Sequence, residues 1–131
     1  MTTETAWIIE DRVRLVTLSG LLTSEDMMLC NDIVYESLKT PHPQVHFIFD
    51  LTAVKANLVS VPAIKDVYPL NHPRAGWVIL AGNRDLPHYL ASFIISALGN
   101  RVRNVNTVNQ ALTFLVQHDT AVDTWHKRRS V

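Results

Sequence analysis

Two nearly continuous apolar runs, Val45–Leu51 and Gly76–Gly82, constrain what this chain can fold into more than any other feature of its sequence. Both are rich in β-branched and aromatic residues, and neither shows the strict alternation of a half-exposed strand. Strands of this kind are covered on both faces, as in the parallel sheets of α/β proteins. We therefore expect two central strands in a sheet that carries helices.

The segments around these runs alternate between strand and helix patterns. Two β-rich runs within residues 6–18 flank a polar turn and predict a hairpin. A helix with one apolar face is predicted from an N-cap at Thr23 or Ser24 to Lys39. The remaining predicted elements are helices over 60–68, 85–98 and 107–116, the last with a capping box from Thr107 and Gln110, and a strand over 101–105. This order predicts an α/β fold: a mostly parallel five-stranded sheet with an antiparallel N-terminal edge hairpin and about four helices.

The length and composition predict a single domain over residues 1–118, followed by a polar C-terminal tail over 119–131. Hydrophobic residues make up 47% of the 131 positions, which excludes a disordered chain. The twelve basic and twelve acidic residues cancel, so the chain lacks the overall field of a nucleic-acid-binding protein. Near-zero net charge also weakens the repulsion between copies, which favours self-association.

The single cysteine and the absence of a long apolar stretch predict a cytoplasmic protein without a membrane span. Cys30 cannot form an internal disulfide, and its place on the apolar face of the first predicted helix indicates a core thiol. No apolar run approaches the roughly 20 residues that a transmembrane helix needs. The polar, acidic N-terminus lacks the pattern of a signal peptide.

The segment Phe47–Val54 resembles a motif of the STAS family, in which a hydrophobic strand ends in Asp-Leu-Ser; here the residues are Asp50, Leu51 and Thr52. The glycine-flanked second run and the closing Ala-Leu-x-x-Leu pattern of residues 111–115 fit the same family plan. The resemblance covers residues 5 to 117. It implies a SpoIIAA-like fold with helices mainly on one face of the sheet. It also implies a non-enzymatic regulatory or protein-interaction module.

One departure from the family pattern concerns phosphorylation. The anti-sigma-factor antagonists of this family carry Asp-Ser-Ser-Gly in the loop after the strand, and a partner kinase phosphorylates one serine. Aligned without gaps, these positions are Leu58, Val59, Ser60 and Val61, and the phosphorylated serine is replaced by Val59. The usual phosphorylatable serine is therefore missing, and Ser60 could replace it only if the loop were shifted.

The sequence offers no constellation for catalysis, a metal or a cofactor. His42 and His46 are four residues apart, but Pro41 and Pro43 on either side of His42 and the strand pattern that follows place them on no common helix face. There is no Gly-x-Ser-x-Gly elbow and no phosphate-binding loop. Asp50 is the most suggestive residue, and a carboxylate that accepts backbone amides of the next turn is favoured over a direct functional role. We therefore predict that the protein is not an enzyme and uses no cofactor or metal.

The best candidate surface is the one formed by the carboxyl ends of the strands, where open α/β sheets bind their ligands and partners. A protein partner is the first hypothesis. A small apolar or lipid-like ligand is the alternative, by analogy with SEC14-like relatives, with Leu58 and Val59 lining a pocket. The predicted binding residues are Asp50, Thr52, Leu58, Val59, Ser60, Asn83 and Arg84.

Two further features bear on partners. Trp77 and Ile79 point to one side of their strand and Val78 and Leu80 to the other, so both faces need cover. With helices expected mainly on one face, the opposite face would need cover from loops, from the C-terminal tail or from another subunit, and we hypothesise a homodimer that buries it. The cluster Trp125–Arg129 near the C-terminus could contact nucleic acid or an anionic membrane, but a solvated tail is favoured.

Overall fold

A computed structural model describes residues 2–39, 44–57, 75–82 and 102–119 together with Val122. The strands are β1 Thr2–Ile9, β2 Val13–Leu22, β3 Val45–Asn57, β4 Ala75–Ala81 and β5 Val102–Val105. The helices are α1 Ser24–Ser37 and α2 Val108–His118. The helices predicted over 60–68 and 85–98 lie outside the described residues, and the count of four helices stays a prediction.

The described strands form one mixed sheet in the order β1-β2-β3-β4-β5. β1 pairs with β2 in antiparallel orientation, and each later neighbour is added in parallel. The predicted five-stranded α/β sheet with an antiparallel N-terminal hairpin is therefore confirmed. Because all four parallel strands point the same way, their carboxyl ends meet at one edge of the sheet.

β3 is longer than the sequence predicts. The expected strand ends at Leu51, whereas β3 continues to Asn57, so Asp50 lies inside the strand and the prediction of a strand end there is wrong. The extension has a partner because β2 also runs further, through two register shifts, and pairs Leu22 with Asn57. The pairing of β3 with β4 stops at Asp50 and Ala81, so the strand end expected for β3 coincides with the end of β4.

A hydrophobic core lies on each face of the sheet. On the first face, Cys30 and Val34 of α1 pack with Val16, Phe47 and Val78. On the second face, the apolar stripe of α2 and the following segment pack against the central strands; this cluster includes Ile48, Ile79, Ala111, Leu115 and Val122. The described helices thus lie on opposite faces, whereas the family resemblance implied helices mainly on one.

α2 covers the side of β4 for which a second subunit was expected. Trp77 makes an edge-to-face contact with Phe114 of α2, with ring centroids 4.8 Å apart. Ile79, on the same strand, is fully buried in the α2-side core. At Trp77 and Ile79, the apolar side chains of β4 are therefore covered by α2 of the same chain.

A capping box fixes the start of α1. The Thr23 hydroxyl oxygen accepts a hydrogen bond from the Asp26 amide, and the Asp26 carboxylate accepts one from the Thr23 amide at 2.8 Å. The Thr3 hydroxyl also donates to Asp26 at 3.0 Å, which ties α1 to the edge strand β1. Burial raises the pKa of Asp26, but the hydrogen bonds from Thr23 and Thr3 outweigh that effect and lower it.

Candidate functional site

The carboxyl edge is the surface formed by Asp50–Ala53 of β3, Gly82 after β4, and Asn104–Thr107, which span the end of β5 and the two residues after it. At its centre, the Asp50 Oδ1 atom accepts hydrogen bonds from the Thr52 amide at 3.1 Å and the Thr52 hydroxyl at 2.6 Å. This is the backbone-accepting role that the sequence favoured for Asp50. The carboxylate therefore orders its own strand at the point where pairing with β4 ends.

Gly82 fits closely against Thr52. Its φ of +74° lies in the left-handed region that side chains disfavour. A Cβ atom at this position would lie 2.6 Å from the Thr52 hydroxyl oxygen and 2.9 Å from the Thr52 Cα. The Gly82 amide also donates to the Val105 carbonyl at 2.9 Å, which connects the ends of β4 and β5. The carboxyl edge is thus tied together from β3 to β5.

The start of α2 completes this edge. Thr107 is the N-cap, and its hydroxyl oxygen accepts a hydrogen bond from the Gln110 amide at 3.1 Å. The Gln110 Oε1 atom accepts a hydrogen bond from the Asn106 amide at 2.8 Å, and Asn106 lies one residue before the N-cap. In the predicted capping box this oxygen would accept from the amide of Thr107 itself, so only half of the box is formed as expected. The exposed residues of the edge are uncharged: Thr52, Ala53, Asn104, Asn106 and Thr107.

Of the predicted binding residues, the structure describes Asp50 and Thr52 and brings them into direct contact. The other five lie outside the described residues: Leu58, Val59, Ser60, Asn83 and Arg84. The loop that was to distinguish a protein partner from an apolar ligand is therefore not described, and that part of the site stays a prediction.

A buried polar network at the opposite edge of the sheet was not predicted. His46 is only 2% exposed, and its Nδ1 atom accepts a hydrogen bond from the Trp77 amide at 2.9 Å. Its Nε2 atom lies 2.6 Å from Asp119 Oδ2. Because Nδ1 is an acceptor, the proton of the neutral ring is on Nε2 and is donated to Asp119. The one sequence signal was a histidine inside an otherwise apolar strand.

This network is shielded from solvent and holds elements together. Burial lowers the pKa of His46, the Arg12 charge lowers it further, and Asp119 opposes both. Gly76 leaves room for the imidazole, because a Cβ there would lie 2.4 Å from His46 Nδ1. Asp119 also accepts a hydrogen bond from the Val122 amide at 3.4 Å, so Asp119 connects Val122 to His46 at the start of β3. A structural role follows from this arrangement.

Cys30 behaves as a core residue, as predicted. Burial, helped by the nearby Asp26 carboxylate, raises the pKa of the thiol to about 12, so it stays protonated at neutral pH. Among the residues that the structure describes, no three His, Cys, Asp or Glu side chains are grouped so that they could hold a metal ion. Neither of the described helices has the length and apolarity that crossing a membrane requires.

Comparison with known proteins gives a fold and no closer relationship. No protein-family model and no curated protein matches this chain. A solved structure of a DUF3478-family protein from Shewanella loihica PV-4, described as having a SpoIIAA-like fold, superimposes with a TM-score of 0.60 at 17% identity. The match covers 87% of this chain and 92% of that one. This chain has a SpoIIAA-like fold.

Two structures of SpoIIAA itself support the same conclusion. The phosphorylated form of this Bacillus cell-fate determinant matches with a TM-score of 0.55 at 12% identity, covering 87% of this chain and 99% of that one. The unphosphorylated form, described as an anti-sigma factor antagonist, matches with a TM-score of 0.57 at 10% identity, covering 87% and 97%. The STAS-type resemblance of residues 47–54 and 111–115 is therefore confirmed at the level of the fold.

Proposed function

We propose that this chain is a non-enzymatic regulatory module of STAS type that binds a protein partner through its carboxyl edge. The observation that carries the proposal is the construction of that edge. Hydrogen bonds donated by Thr52 to Asp50 and by Gly82 to Val105 fix the backbone, while Asn104, Asn106 and Thr52 remain exposed. A polar surface whose backbone is held by hydrogen bonds suits recognition of another folded protein, because little conformational freedom is lost on binding.

The proposed binding surface extends from the described edge to residues that follow β3 and β4 in the sequence. Asp50 and Thr52 form its centre, and Leu58, Val59, Ser60, Asn83 and Arg84 are proposed to contribute by their position in the sequence after β3 and β4. The fold comparisons favour this regulatory reading, since SpoIIAA is described as an anti-sigma factor antagonist. They do not favour the apolar-ligand alternative.

Phosphorylation at the usual family position is not part of the proposal. SpoIIAA occurs in phosphorylated and unphosphorylated forms, whereas Val59 stands at the aligned position here and has no hydroxyl group. We therefore propose that partner binding is not switched at this residue.

The proposed setting is the cytoplasm, where a lone thiol such as Cys30 stays reduced. A homodimer is also proposed, because the absence of net charge favours self-association.

Co-purification from the cells that natively express the chain tests the partner surface. A tagged chain is compared with the N104R/N106R variant, which places two bulky cations on the carboxyl edge, and with T113R/Q117R, which places the same cations on exposed positions of α2. We expect a stoichiometric partner with the parent chain and with T113R/Q117R, and its loss with N104R/N106R. Equal recovery with both variants would refute the assignment of the surface.

A further inference from the structure

α1 exposes large apolar side chains on the side that faces away from the sheet. Met28 is 66% exposed, Tyr35 44% and Leu29 39%. The opposite side of the same helix carries the buried residues Cys30 and Val34, so the exposed residues do not serve the core. Grouped apolar side chains on a soluble surface commonly mark an interaction site.

Carboxylates surround these apolar residues. Glu25, Asp32 and Glu36 are exposed and share helical spacing with Met28 and Tyr35. Glu36 has cationic neighbours, because Lys39 Nζ lies 3.4 Å from its carboxylate. Arg14 is also near, since burial lowers the pKa of Arg14 and the charge of Glu36 opposes that change. Glu25 and Asp32 therefore give the surface its negative charge. We define the α1 outer face as Glu25, Met28, Leu29, Asp32, Tyr35 and Glu36.

The chain itself contains a segment of complementary chemistry. Its net charge is zero, so the acidic α1 outer face is balanced by cations elsewhere in the sequence. The only three consecutive cations are Lys127, Arg128 and Arg129, and Trp125 stands two residues before them. A tryptophan beside three cations matches a surface on which Met28 and Tyr35 are flanked by carboxylates.

The position of Val122 indicates which copy this segment meets. Val122 is buried in the core on the α2 side of the sheet, whereas α1 packs on the opposite side. Val122 therefore lies on the face away from its own α1, and Trp125 follows it by only three residues in the sequence. With no net charge to keep copies apart, a neighbouring molecule can approach closely.

We propose that residues 123–131 of one copy bind the α1 outer face of a second copy. Trp125 packs against the apolar residues, and the three cations face Glu25 and Asp32. The contact is heterologous, so two copies can exchange segments reciprocally or associate head to tail. The α1 outer face shares no residue with the carboxyl edge as defined above, so the proposal stands or falls independently of the partner-binding function.

Sedimentation velocity of the full chain over a range of concentrations tests the proposal. The parent chain is compared at low and high salt with two charge-reversal variants, E25K/D32K and K127E/R128E/R129E. The control T113K/Q117K adds cations to exposed positions of α2 on the other face. Circular dichroism verifies that each variant is folded.

We expect self-association of the parent chain that weakens with salt, because exposed ion pairs are screened. Each reversal should weaken association by about tenfold, the combined effect of a few exposed ion pairs, and the control should not. An equimolar mixture of the two reversal variants should associate again, since the normal segment of one meets the normal α1 of the other.

Three results would overturn the proposal. They are a parent chain that stays monomeric, association that neither reversal weakens, and a mixture of the two reversal variants that fails to associate. A monomeric parent whose α1 amides shift in the NMR spectrum on K127E/R128E/R129E substitution would assign the segment to its own α1 instead of a second copy.

Discussion

The buried imidazole of His46 gives the clearest pH dependence at the scale of single residues. Its pKa is lowered in the folded protein, chiefly by burial, so the unfolded chain binds the proton more tightly. The stability that the neutral ring contributes is present above the unfolded pKa of about 6.5 and is lost as pH falls through the folded value. In a protonated ring, Nδ1 would also carry a hydrogen, and this N–H would point at the Trp77 amide, so two donors would face each other.

Urea unfolding at about pH 7.5 and pH 5 checks this dependence. We expect the free energy of unfolding to fall toward pH 5 in the parent chain. In H46N, which has no titratable ring, stability at the higher pH should be lower but the fall should be smaller. The same pH slope in both proteins would show that other groups cause it.

Gly82 is the second residue whose role can be tested singly. Alanine at this position must adopt φ near +74° and bring its Cβ to 2.6 Å from the Thr52 hydroxyl oxygen. We expect G82A to lose about 2 kcal/mol of stability in urea unfolding, from left-handed strain and crowding together. The matched change A53G, at an exposed position of β3, should cost less than about 1 kcal/mol. Equal losses would contradict the close packing of Gly82.

At the scale of elements, α1 depends on Asp26 for its start and its attachment to β1. Removing this carboxylate leaves the Thr23 amide and the Thr3 hydroxyl without an acceptor. We expect D26A to lower the free energy of unfolding by about 2 kcal/mol, whereas E25A, an exposed acid in the same turn, should lower it by only a few tenths. Urea unfolding of both variants measures the difference, and similar losses would refute the special role of Asp26.

The sequence predicted those elements in which the apolar residues extend over the same range as the backbone hydrogen bonds. The hairpin, α1, β4 and α2 belong to this group, since each buries apolar side chains, whereas β5 was predicted although none of its four residues is fully buried. β1 begins at Thr2, earlier than expected, because an edge strand is held by backbone pairing with β2 and needs few apolar residues. The extension of β3 was missed for the same reason, since Asp50-Leu51-Thr52 has the composition of a strand end although pairing with β2 continues.

At the scale of the whole molecule, topology explains what could be predicted of the site. The general rule for α/β sheets was enough to locate a polar edge containing Asp50 and Thr52. The contact of Gly82 with Thr52 and the bond to Val105 depend on the strand order, which brings together segments that are distant in sequence. His46 and Asp119 are 73 residues apart, and no local pattern connects them.

The central claim is that a protein partner binds the carboxyl edge. The most direct measurement is mapping of backbone amide shifts by NMR when the unlabelled co-purified partner is added to the isotope-labelled chain. We expect the largest shifts at residues 50–53, Gly82 and residues 104–107, with the exposed positions of α2 unchanged. Shifts confined to other surfaces, with none at these residues, would contradict the account.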